Sequence, residues 1–121
     1  MASEFVFGPI AQNKTYYVPA PYNCRIAAGS VNMNANATAS KKAYVKYIDS
    51  SSSQQTIMTF TVPASYAAAT NIAGSLNSSS SSTHAQKLLS RNDPIVLKTD
   101  SAMGNSAETY FTLILDRYGL K

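Results

Sequence analysis

The sequence predicts an all-β chain, a single antiparallel β-sandwich that is jelly-roll-like, with about eight short strands and an extended amino-terminal arm. Three observations predict it. Short runs alternate apolar and polar residues, as in residues 55–62, where Met58, Phe60 and Val62 share one face and Thr59 and Thr61 the other. Clusters of Pro, Gly and Ser break these runs roughly every 10–12 residues. Helix competes with strand at only two places: residues 66–76, where a weak strand fits slightly better, and residues 83–89, where a helical turn or an edge strand fits equally.

In chain order, residues 4–10 read as an extended arm broken at Gly8 and Pro9, of the kind that adds a strand to the sheet or reaches onto a neighbour. The arm takes residues 1–12 and the sandwich domain residues 13–121. Residues 14–18 form the first strand of the domain, stopped by Pro19 and Pro21. In residues 24–33, Cys24, Ile26 and Ala28 alternate on one face. Val31 and Met33 rejoin that face only after a shift of one residue, so a bulge is expected near Gly29 and Ser30. Residues 34–40 are a small-residue loop, residues 42–48 a strand, and residues 50–54 a connection to the strand at 55–62 that Pro63 ends. Residues 78–82 are a solvated serine tip. Residues 94–100 and 108–118, joined by turn-forming residues, read as a closing β-hairpin. Its second strand carries Phe111, Leu113 and Leu115 on one face and Ile114 on the other, which predicts a central position with both faces nearly buried.

A chain of 121 residues makes one domain. Charged residues reach only 13%, about half the usual share, so Ser, Thr, Asn, Ala and Tyr must build the surface. So weakly charged a surface is expected to be covered by other subunits. Eight Tyr and no Trp agree, because Tyr suits surfaces half apolar and half wet. The net charge of +4 is modest, and Lys41, Lys42 and Lys46 form the only basic cluster. Tyr44 and Tyr47 interleave with these lysines, which reads as a half-exposed strand; contact with nucleic acid is not expected.

One cysteine, Cys24, and one histidine, His84, exclude an internal disulfide, a Cys-based zinc cage and a His cluster. Cys24 reads as a small buried hydrophobe at a strand start. His84 follows Ser82 and Thr83, but no third group stands by to orient it as a base. Asp49, Asp93, Asp100 and Asp116 sit at strand ends or turns, where Asp bonds to local backbone, and are not spaced as an acid–base pair or a calcium loop. Five glycines include no phosphate-binding loop. The sequons at Asn13, Asn36 and Asn77 read as chance matches in an Asn/Ser/Thr-rich chain. Neither a signal peptide nor an apolar run of roughly 18 residues is seen, so synthesis in a reducing cytoplasm, with no membrane partner, is the expectation. No enzyme, cofactor or metal is expected.

The segment YYVPAPYNCRI at residues 16–26, with its strand broken at prolines and resumed, resembles the opening of a phage decoration or fibre-head domain. DPIVLKTDSA at 93–102 and AETYFTLILDRY at 107–118 resemble the last two strands of such jelly-roll-like virion modules. The resemblance implies a tailed-bacteriophage capsid decoration (cement) protein. Such a protein is a homotrimer on the capsid surface of the virion, reinforcing contacts between major capsid protein subunits. In that role Phe5, Phe7 and Ile10 of the arm would dock by strand addition. A receptor- or glycan-binding fibre head is the alternative, with Tyr22, Tyr44 and Tyr47 lining a shallow site. A small RNA-packaging coat protein is a third reading, and it needs Lys41, Lys42 and Lys46 to face inward together. The stretch at 66–76 departs from the resemblance, since it lacks strong β-formers.

Overall fold

A computed structural model of the chain describes residues 2–11, 14–34, 40–64, 66–67, 70–76, 87–99 and 108–117. These residues form ten strands: β1 (Ala2–Ala11), β2 (Thr15–Pro19), β3 (Cys24–Met33), β4 (Lys41–Ile48), β5 (Gln54–Val62), β6 (Ile72–Ala73), β7 (Ser75–Leu76), β8 (Leu88–Leu89), β9 (Pro94–Thr99) and β10 (Glu108–Arg117). All pairings are antiparallel. One sheet, sheet A, runs β1-β10-β3-β6, with β8 also on β3; the other, sheet B, runs β2-β9-β4-β5-β7. The two pack as a β-sandwich around a core built from Ile26, Val31, Met33, Phe111, Leu113 and Leu115 on one side and Val45, Met58, Phe60 and Leu97 on the other. Phe60 and Phe111 meet edge to face across the layers, with ring centroids 5.6 Å apart.

Two more strands than the expected eight appear because the weak stretches contribute two-residue ladders. Residues 72–76 supply β6 and β7, which resolves the ambiguity there as strand. Leu88 and Leu89 form the β8 bridge, while residues 83–86, with His84, lie outside the described residues, as do the tip at 78–82 and Asp100.

The closing hairpin is not formed. β9 lies in sheet B between β2 and β4, and β10 lies in sheet A between β1 and β3. The chain changes sheet at every connection except β4–β5. Residues 100–107 join β9 to β10, a longer connection than hairpin turns use, and eight residues readily bridge two layers about 10 Å apart. β10 is central in its sheet as expected, but only one face is buried. Thr109, Phe111, Leu113 and Leu115 are sealed, while Tyr110, Thr112, Ile114 and Asp116 are half-exposed. The strand that buries both faces is β9, where Ile95, Val96 and Leu97 are all covered.

The predicted shift in β3 exists, displaced towards the amino terminus. Ile114 pairs with Ala28 and Leu115 with Ile26, so Ala27 is the extra residue. Ala28 is thereby turned outward and exposed, and Val31 and Met33 fall back onto the core face. The amino-terminal segment takes the first of its two expected roles. As β1 it adds an edge strand to sheet A, with Phe5 opposite Leu113 and Phe7 opposite Phe111. Its register shifts between Phe7 and Ile10. Gly8 sits there at φ 138°, and a Cβ on it would stand 2.9 Å from the Thr109 carbonyl oxygen, so only glycine lets the strand close onto β10.

Candidate functional site

The residues singled out in the sequence are distributed over the sandwich, not gathered at one place. Phe5 and Phe7 point to the core face of β1, stacked with centroids 6.3 Å apart. Phe5 also tilts against Tyr22 at 5.9 Å, and the Arg117 guanidinium lies 4.0 Å over the Tyr22 ring. These three aromatics therefore seal the β1 side of the core. Ile10 is buried at 3% exposure. Strand addition by this segment is made to its own sheet, which leaves Ile10 no surface to offer a partner. Tyr44 and Tyr47 lie on opposite faces of β4: Tyr47 turns inward at 7% exposure with the Lys87 ammonium 5.1 Å over its ring, and Tyr44 turns outward. No common surface holds Tyr22, Tyr44 and Tyr47, so the shallow tyrosine site expected of a fibre head is not assembled.

What the fold does assemble is a pair of outer faces with different chemistry. On sheet A the register turns Glu4, Val6, Ala28, Ser30, Thr112 and Ile114 outward. Val6 is 65% exposed. A shallow depression of about 180 Å³ is lined by Glu4, Ala28, Gly29, Ser30, Thr112 and Ile114. Arg25 and Asp116, 2.9 Å apart, cancel one another farther along this face. The result is a small-residue, weakly charged face that mixes Val6, Ala28 and Ile114 with Ser30, Thr112 and the exposed Glu4.

On sheet B the outward register of β4 and β9 holds Lys42, Tyr44, Lys46 and Lys98 about the fully covered Val96, with Tyr17 beside them on β2. Lys46 and Lys42 of the basic cluster share this face; Lys41 falls on the opposite register. The Lys46 ammonium stands 5.1 Å over the Tyr44 ring. Burial lowers the pKa of Lys46, and the neighbouring Lys98 charge lowers it further. Tyr17 is 57% exposed, and its hydroxyl oxygen accepts a hydrogen bond from Gln54 Nε2 at 3.3 Å. Sequence reading missed Lys98 and Tyr17. Their parity was legible, but only the topology brings β9 between β2 and β4.

Cys24 and Asp49 serve the frame. Cys24 is buried, and its thiol pKa is pushed up by burial and by Asp93. Asp49 organises the β4–β5 turn: its Oδ1 accepts from the Ser51 and Ser53 amides at 2.9 Å each, and its Oδ2 from Gln55 Nε2 at 2.7 Å. These bonds hold its carboxyl at about 2. Among the described residues no three His, Cys, Asp or Glu side chains gather as a metal site, and no helix is long and apolar enough to cross a membrane. Comparison with protein-family models, curated proteins and solved structures yields no match.

Proposed function

We propose that the chain is a structural subunit of a virion shell, and that its work is that of a decoration protein binding the outside of a phage capsid. The observation that carries this reading is the outer face of sheet A. It is weakly charged, with Glu4 beside the paired Arg25 and Asp116, and is centred on the exposed Val6 and the half-exposed Ile114, in a protein whose charged residues amount to 13%. A face of that composition is stabilised by being covered, at about 25 cal/mol for each Å² of apolar surface removed from water. In this reading sheet A seats against major capsid protein subunits, and threefold association turns modest single contacts into avidity. The work is mechanical and involves no cofactor.

The test is the oligomeric mass of the purified chain together with co-sedimentation on undecorated phage heads. A trimer that pellets with heads, and whose Val6→Lys variant stays folded but remains in the supernatant, supports the reading. A folded chain that ignores heads, or a Val6→Lys variant that pellets as well as the parent, overturns it.

A further inference from the structure

The outer face of sheet B has a composition that the decoration reading does not use. Its rows follow from the register. Tyr17 and Lys46 flank the fully buried Val96 across β2, β9 and β4, and Thr15, Lys98 and Tyr44 form the next row. Adjacent rows are two residues apart along the strands, about 7 Å, a step of the size one extended nucleotide covers. Lys98 is the diagonal neighbour of Lys46, about 7–8 Å away between backbones. Lys42 continues the line on β4, opposite Thr61 of β5. Among the described residues, the outward positions of β2, β9, β4 and β5 carry no Asp or Glu. Cations are thus set at nucleotide-sized intervals, with Tyr44 between Lys42 and Lys46 on β4 and Tyr17 at the β2 end of the Lys46 row.

We propose that this face, through Lys46, Lys98 and Lys42 with Tyr17 and Tyr44, binds single-stranded nucleic acid. Two like charges held close, one of them partly buried, repel each other, and a phosphate bridging them removes that repulsion. The exposed Tyr17 ring beside them offers a π-face on which a base stacks, the combination by which sheet surfaces hold single strands without reading their sequence. A duplex fits less well, because its bases are hidden and a flat sheet enters neither groove. An acidic protein surface would pair with Lys46 and Lys98 but would gain nothing from the exposed Tyr17 ring. The binding stands on this face alone and does not depend on whether sheet A seats on a capsid.

The experiment is fluorescence-anisotropy titration of the full chain with a labelled oligouridylate across a salt series. The expected result is saturable binding whose logarithmic salt slope is about −2, near −0.7 for each of three phosphates contacted. Lys46→Gln and Lys98→Gln should each flatten the slope by about 0.7. Tyr17→Ser should weaken binding about tenfold at an unchanged slope. Arg91→Gln, in the turn before β9, should change neither. All four positions lie on the surface or its margin, and circular dichroism checks that each variant is folded. Absence of binding at low salt, or binding indifferent to Lys46→Gln and Lys98→Gln, overturns the proposal. Equal competition by polyglutamate, or by a duplex of matched charge, also overturns it and leaves an acidic protein surface or a nonspecific polyanion as the occupant.

Discussion

Truncating Leu113 to alanine measures how far the centre of sheet A is sealed. The side chain is 0% exposed. It is flanked in register by Phe5 on β1 and Gly29 on β3. A Cβ built on Gly29 would lie 2.9 Å from Leu113 Cδ2, so the leucine fills the space the glycine leaves. Removing three carbons forfeits about 2.4 kcal/mol of transfer free energy, at ~0.8 kcal/mol each. Collapse into the hole is limited, because Gly29 has nothing to move and both flanking backbones are pinned by their ladders. A residual cavity of about 70 Å³ adds about 1.7 kcal/mol, at ~24 cal/mol per Å³. The sum is about 4 kcal/mol, a large part of the stability usual for a domain of this size. Urea denaturation followed by circular dichroism should give this loss with an unchanged slope, and Tm should fall by about 15 °C. Val6→Ala, on the outer face of the same sheet, should stay within about 0.5 kcal/mol. A loss below about 1.5 kcal/mol for Leu113→Ala would refute the reasoning, since it would mean that the sheet closes over the hole or that the space was never sealed.

Three further outcomes are expected. Tyr66→Phe should cost about 1–3 kcal/mol in denaturant melts, because the Tyr66 hydroxyl accepts from the Met33 amide at 2.8 Å and donates to the Thr70 carbonyl at 2.6 Å, leaving a buried donor unpaired when it is removed. The folded-state pKa of Asp49 lies at about 2, below the ordinary aspartate value of 3.8, so its contribution is complete above the unfolded value and is lost as pH falls through the folded one. Asp49→Asn should therefore flatten stability against pH between about 4 and 2, and an unchanged profile would remove the turn as its source. Cys24 should react with an aromatic disulfide reagent only as fast as the fold opens, and it should react at once in denaturant; rapid labelling of the native chain would contradict its burial.

The alternation of β4 and β5 was legible because one side of each strand faces a core and the other does not. Lys42, Tyr44 and Lys46 could therefore be placed on one face from the sequence. Sheet membership was not legible. Periodicity reports which side of a strand is buried but carries no information about its neighbour, so residues 94–100 and 108–118 read as a hairpin, whereas β9 and β10 belong to different layers. The length of the connection between them was the unused signal. The bulge in β3 was misplaced for a related reason: glycine is the usual mark of a bulge, but here Gly29 is spent on close packing against Leu113, and Ala27 takes the extra position. The amino-terminal segment was divided from the domain because Gly8 and Pro9 break its pattern. In the sheet that break is a local irregularity in an otherwise continuous edge.

That edge bears on how partners are met. A long strand such as β1, apolar at Phe5, Val6 and Phe7, is a template for further strands and hence for open-ended stacking. The irregularity at Gly8 and Pro9 interrupts it, and Pro9 has no amide hydrogen to give. Sheet B ends in the five residues of β2 and the two of β7, too short to propagate a sheet. Extension through strand edges is therefore disfavoured at both layers, and contact with partners falls to the two faces. The faces differ in what they can lose to a partner. Sheet A gives up apolar surface and almost no hydrated charge, which suits a protein neighbour. Sheet B would have to desolvate lysines, a cost offset only where the partner supplies anions in register with them. If the chain is the virion subunit proposed above, it is two-sided, and the chemistry of each face, not the ends of its strands, selects its partners.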